Sequence, residues 1–86
     1  MNHSRKKIGG KWKPLIMFIL ASKKCRFNKL KQLLPGISAN MLSSSVRELE
    51  TNGIVYKHDG VYALTEPGKQ IVVLLYEISK IVNSLP

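Results

Sequence analysis

Asn40, Ser43, Ser44 and Arg47 stand at i, i+3, i+4 and i+7 within PGISANMLSSSVRELETNGIVY, residues 35–56. At about 3.6 residues per turn, that spacing puts all four on one face of a helix. Leu42, Val46 and Leu49 make the opposite, apolar face. Solvated helix faces usually carry Glu and Lys, which are stronger helix formers than Ser and Asn. This face carries short or forked hydrogen-bonding groups and no acid. In a duplex major groove Asn suits adenine, Arg suits guanine, and Ser suits several base edges. A carboxylate there would be repelled by the phosphates. The four residues therefore have the chemistry of a nucleic-acid reader; the plain alternative is a solvated surface.

Other groups fit the same chemistry. Lys29, Lys31 and Arg26 are candidate phosphate clamps, since each phosphate neutralised releases counterions. Ser38 is a natural N-cap, and the same turn can approach a phosphate. Lys57 and His58 precede Asp59-Gly60, a tight-turn pair, and would reach backbone or minor groove from its tip. Lys11, Lys13 and the run Arg5-Lys6-Lys7 are further basic positions with no settled role.

Catalysis is not expected. Ser4-Arg5-Lys6-Lys7 matches a Ser-x-x-Lys pattern by accident, and no Gly-rich loop ends in Lys-Ser or Lys-Thr. His3 and His58 lie far apart with one cysteine between them, so neither a zinc site nor another cofactor is expected. Cys25 is that single cysteine, which forbids an internal disulfide and makes intracellular residence the expectation. It sits between Lys24 and Arg26, and a spectator thiol is the expectation.

Charge is segregated along the chain. Residues 1–47 hold eleven Lys or Arg and no Asp or Glu. Residues 48–86 hold five acids and three lysines, so the two parts carry +11 and −2 within a net +9. One part is suited to a polyanion, either nucleic acid or an anionic membrane. The apolar run Leu15–Ala21 after a basic start imitates a secretory signal. It is followed by Ser22, Lys23 and Lys24 without a small-x-small cleavage site. It is too short to span a bilayer and is expected to be a buried helix, with the protein cytoplasmic.

The elements that would position these groups can be read in order. Residues 1–7 are expected to be a basic flexible arm, and residues 8–86 a single domain. A first helix is predicted over about Lys11–Ser22, with Pro14 in its first turn and Trp12, Leu15, Ile16 and Ile19 as its stripe; Phe18 and Leu20 widen it. A second helix is predicted over about Phe27–Leu34, with Phe27, Leu30, Leu33 and Leu34 inward, stopped by Pro35-Gly36. The third runs from about Ala39 to Asn52 and ends at Gly53. IVYKH and VYALT then flank Asp59-Gly60 as a hairpin. Thr65 caps a fourth helix over about 66–85, whose stripe is Ile71, Leu74, Ile78, Ile81 and Leu85, with Leu75 and Val82 beside it. That is more apolar width than one small core needs, so a homodimer built on these residues is expected. The fold class is mostly α with a small β-hairpin, in the order helix-helix-helix-hairpin-helix: a winged helix-turn-helix, whose third helix enters the major groove.

IGGKWKPLIMFIL, RFNKLKQLLPGIS, MLSSSVRELETNGIV and YALTEPGK together resemble the HxlR family of winged-helix transcriptional regulators. The resemblance covers nearly the whole chain, from about Ile8 into the last helix. It implies a homodimer on an inverted-repeat double-stranded DNA site, with dimer contacts from the N- and C-terminal helices. Three departures stand out. The family's wing is usually longer and contains proline, whereas here it is YKHDGVYAL. Asn40 stands where a basic residue is often found, which would change the bases read. Some members sense oxidants through a cysteine ahead of the first helix; MNHSRKKIGG has none, so that route is not expected. Sequence-specific regulation of transcription is the function implied. The rivals are a protein-interaction module that kept the fold and a non-specific nucleic-acid binder. Which effector acts, if any, is left open by the residues.

Overall fold

The chain runs α1 (His3–Ser22), β1 (Cys25–Arg26), α2 (Phe27–Leu33), α3 (Ala39–Thr51), β2 (Val55–His58), β3 (Val61–Leu64) and α4 (Glu66–Ser84). This computed structural model describes residues 3–85, and its described side chains begin at Lys11. α1 starts at His3, eight residues earlier than the sequence pattern suggests, so most of the segment read as an arm is helical backbone. Gly9 and Gly10 do not end it, because a helical glycine costs only about 1 kcal/mol against alanine. Pro14 consequently lies inside the helix rather than in its first turn, where its missing N–H removes one helix hydrogen bond.

The core is a layer of helices against one face of a small sheet. Ile16, Met17 and Leu20 of α1, Leu30 and Leu34 around α2, Ile37, and Leu42, Val46 and Leu49 of α3 are buried together with Cys25, Val55, Tyr62 and Leu64. The inward line of α1 is therefore Ile16, Met17 and Leu20. Trp12 and Ile19 pack at its edge, whereas Leu15 and Phe18, expected inside, are exposed. Leu33, also expected inside, is exposed: it is the last residue of α2 and lies about 60° round the helix from the buried Leu30.

α3 has defined ends. The Ser38 hydroxyl accepts the Met41 N–H at 3.0 Å. At the other end Gly53 N–H bonds Glu50 O and Ile54 N–H bonds Leu49 O, a Schellman pair that turns the chain into β2. Asp59 and Gly60 adopt φ of 52° and 78°, both positive, as a two-residue type I′ hairpin requires. The hairpin is not alone. β1 pairs antiparallel with β3, Cys25 opposite Tyr62 and Arg26 opposite Val61, giving a three-stranded sheet in the order β1-β3-β2. The expected hairpin is present, and β1 adds a third strand that the sequence reading did not include, because it is two residues long and carries no periodic signal.

α4 is seated at its start. Thr65 Oγ1 accepts the Gly68 N–H at 3.0 Å and shares its own hydrogen between Gly53 O and Ile54 O, at 2.7 and 3.1 Å. Gly68 is buried against the Ile54 carbonyl, where a side chain would collide with backbone. Ile71, Val72 and Leu75 pack at the edge of the core; beyond them the helix leaves the domain. No helix among the described residues is long and apolar enough to cross a membrane.

Candidate nucleic-acid interface

α3 presents two distinct faces. Leu42, Ser45, Val46 and Leu49 are buried. Asn40, Ser44 and Arg47 are exposed and Ser43 is half-buried, so the four expected reading groups share the outward side. Ser44 Oγ donates back to Met41 O at 3.2 Å, which leaves its lone pairs facing outward as acceptors. Its neighbour Ser45 is the exception among the serines, buried at the helix–core contact. Glu48, the nearest acid along α3, is drawn aside into an ion pair with Lys13 of α1. The first two turns of the outward side thus stay free of carboxylate.

A cleft opens between α2, α3 and the wing. It is lined by Arg26, Asn28, Ser43, Lys57 and Tyr62, among others. Three expected site residues, Arg26, Ser43 and Lys57, are brought together here from positions up to 31 residues apart. Lys57 stands opposite Tyr62 in the ladder, its Nζ 5.4 Å from the ring centroid, so its reach is braced by an aromatic face. Asn28 was not anticipated; an exposed polar residue in the first turn of a short helix carries no sequence signal beyond solvation.

The other expected groups are dispersed. Ser38 is exposed at the N-terminus of α3, with its oxygen engaged in the cap. Lys29 and Lys31 are both exposed, but residues two apart point about 200° from each other. A single DNA strand beside α2 meets one of them more closely than the other. His58 lies on the opposite side of the wing from Lys57, because strand neighbours alternate, and its Nε2 is 3.5 Å from Asp59 Oδ2. Arg26 is an element of β1, not of α2. Its Nη1 donates to Asp59 O at 3.1 Å, tying the edge strand to the turn of the wing. Among the described residues, no three His, Cys, Asp or Glu side chains gather as metal ligands would.

On α4, Leu74, Ile78, Ile81, Val82 and Leu85 are exposed, and Ile71 and Leu75 are half-buried. Val73 and Tyr76 add to the exposed apolar surface, as do Leu15 and Phe18 on α1.

This arrangement has known counterparts. An HTH-type transcriptional regulator of Methanothermobacter thermautotrophicus is 36% identical over 75 residues, which covers 79% of this chain and 57% of that protein. The HTH-type transcriptional regulator YybR of Bacillus subtilis is 32% identical over 80 residues, 85% of this chain and 64% of its own. The chain thus spans less than two thirds of the length of these relatives. The crystal structure of quinone-bound YodB from B. subtilis superposes with a TM-score of 0.84 at 29% identity, covering 99% of this chain and 97% of that one. Residues 7–85 match the HxlR-like helix-turn-helix family, and with the winged fold and these relatives it follows that the chain belongs to that family.

Proposed function

We propose that the protein is a sequence-specific DNA-binding regulator of transcription that acts in the cytoplasm as a homodimer on an inverted-repeat site. The observation that carries this is the outward face of α3: Asn40, Ser43, Ser44 and Arg47 exposed or half-exposed, free of acid in its first two turns, and flanked by Lys57 of the wing. Such a face can approach base edges, while Lys57, Arg26 and one of Lys29 or Lys31 neutralise phosphates. The naming of its relatives as transcriptional regulators supports the same reading.

Dimerisation is supported by α4. Leu74, Ile78, Ile81, Val82 and Leu85 stand exposed on a helix that leaves the domain, and a soluble chain seldom leaves so much contiguous apolar surface in water. Each such side chain gains about 1.5–3 kcal/mol on full burial. A symmetric dimer that reads DNA with its two α3 helices is expected to take half-sites about one DNA turn apart, or a multiple of it. The quinone belongs to YodB; in this chain Cys25 is buried, 3% exposed, within the core.

The test is binding to genomic DNA fragments at physiological salt, followed by fluorescence anisotropy. The proposal expects a subset of fragments to bind at least about a thousandfold tighter than random DNA. No preference would mean a non-specific binder, and no binding would mean an interaction module.

A further inference from the structure

The sheet has a second face, on the far side from Lys57, and Arg26 at its edge is the one residue it shares with the cleft. Cys25, Tyr62, Leu64 and Val55 turn to the core, so strand alternation turns Arg26, Val61, Ala63, Tyr56 and His58 the other way. On this outer face the middle strand carries the small side chains and the edge strands carry long ones. The result is a trough of about 390 Å³. Val61 and Ala63 form its floor, Lys24 and Arg26 one wall, Tyr56 and His58 the other, and Asp59 closes the tip. Ala63 is only 6% exposed although it points away from the core, which shows how far the walls close over the floor. The volume falls within the range of small-molecule sites, about 300–1,000 Å³.

The lining selects a ligand class. An apolar floor beside the Tyr56 ring suits a flat apolar body. Lys24 and Arg26 at one wall suit an anionic group, and a guanidinium fork matches a carboxylate in particular. The Asp59 carboxylate at the tip disfavours a multiply charged anion. A free phosphate would engage the cations but leave the ring and floor unused.

Arg26 links this trough to the wing. Its Nη1 hydrogen-bonds Asp59 O at 3.1 Å and lies directly over Gly60, where a Cβ would stand 2.8 Å from that nitrogen. A carboxylate is a stronger acceptor than a peptide carbonyl. We propose that the outer trough of the wing sheet binds a small planar aromatic monocarboxylate, and that occupancy draws Arg26 from the turn and alters how the wing meets DNA. The regulatory consequence rests on the DNA-binding reading above; the binding site does not.

The experiment is an NMR titration of the intact protein with benzoate, with inorganic phosphate and benzyl alcohol as controls. Benzoate should give saturable shifts at the amides of Tyr56, Val61 and Ala63, with an affinity of roughly millimolar order for so small a ligand. Neither control should saturate there. Ala63→Leu, which fills the floor, and Arg26→Gln, which removes the fork, should each weaken binding at least about tenfold. Tyr56→Ala alters an exposed residue and is the variant to use if either fails to fold; it too should weaken benzoate. In anisotropy, saturating benzoate should lower DNA affinity by about fivefold in the wild type and not in Ala63→Leu. Equal shifts from phosphate, shifts confined to the cleft between α2, α3 and the wing, or unchanged binding in the variants would overturn the site. A protein that binds benzoate in the trough but no DNA would keep the site and overturn the regulatory reading.

Discussion

Replacing Gly68 by Ala should destabilise the protein by about 3 kcal/mol, although alanine is the better helix former. An added Cβ would press into the Ile54 carbonyl oxygen and stand 3.2 Å from both the carbonyl carbon and Cγ2 of Ile54. The obstacle is backbone, which cannot swing aside as a side-chain tip does. Overpacking of this kind costs about 1–3 kcal/mol. Relief by lifting α4 would stretch the Gly68 N–H to Thr65 Oγ1 bond and the Thr65 N–H to Ile54 O bond, both 3.0 Å, at about 1 kcal/mol each. The gain in helix propensity returns at most about 1 kcal/mol. For a domain of this size the net corresponds to a melting temperature lower by roughly 12–24 °C. Urea unfolding followed by circular dichroism, at one fixed protein concentration, measures it, with Lys69→Ala as an exposed control within about 0.5 kcal/mol of wild type. If Gly68→Ala matches that control, α4 is not seated on Ile54 and the placement of its apolar face is wrong.

Ile78→Asp and Ile81→Asp change residues that are 55% and 63% exposed in the protomer, so each should produce a folded monomer by light scattering rather than an unfolded chain. A folded wild-type monomer at micromolar concentration would remove the dimer altogether. Cys25 is buried in the core, so its reaction with a thiol reagent should be at least about tenfold slower in the folded than in the urea-unfolded protein, and Cys25→Ser should leave DNA affinity under reducing conditions unchanged. The Lys13–Glu48 pair is partly exposed, and Glu48→Ala should cost no more than about 1 kcal/mol in the same unfolding assay. Lys29→Ala and Lys31→Ala should differ: the residue nearer the DNA strand lowers the salt slope by about one, the other scarcely changes it.

What was legible in the sequence was local. The third helix, its Ser38 cap and its two faces follow from a period of 3.6 and a capping residue, and the turn follows from Asp59-Gly60. The inward line of α1 was not legible, because Leu15–Leu20 is apolar at every position and offers no contrast between sides. β1 was missed for a related reason: two residues hold no period, and Arg26 meets Asp59 across 33 positions of chain. That long-range contact makes Arg26 a tie to the wing as well as a cation. The alternation that parts His58 from Lys57 was available in the pattern, but only once the strand was placed in its sheet.

The central claim is that α3 reads base edges. Its most direct test is a binding-site selection at fixed salt with the wild type, Asn40→Ala, Ser44→Ala, Lys29→Ala and Lys57→Ala. The account predicts an inverted repeat for the wild type. Asn40→Ala and Ser44→Ala should relax particular base pairs, by about 1–3 kcal/mol for each good contact. Lys29→Ala should keep the motif unchanged. An unchanged motif after truncation of both Asn40 and Ser44, with an altered one after Lys57→Ala, would contradict it and move the reading from the helix to the wing.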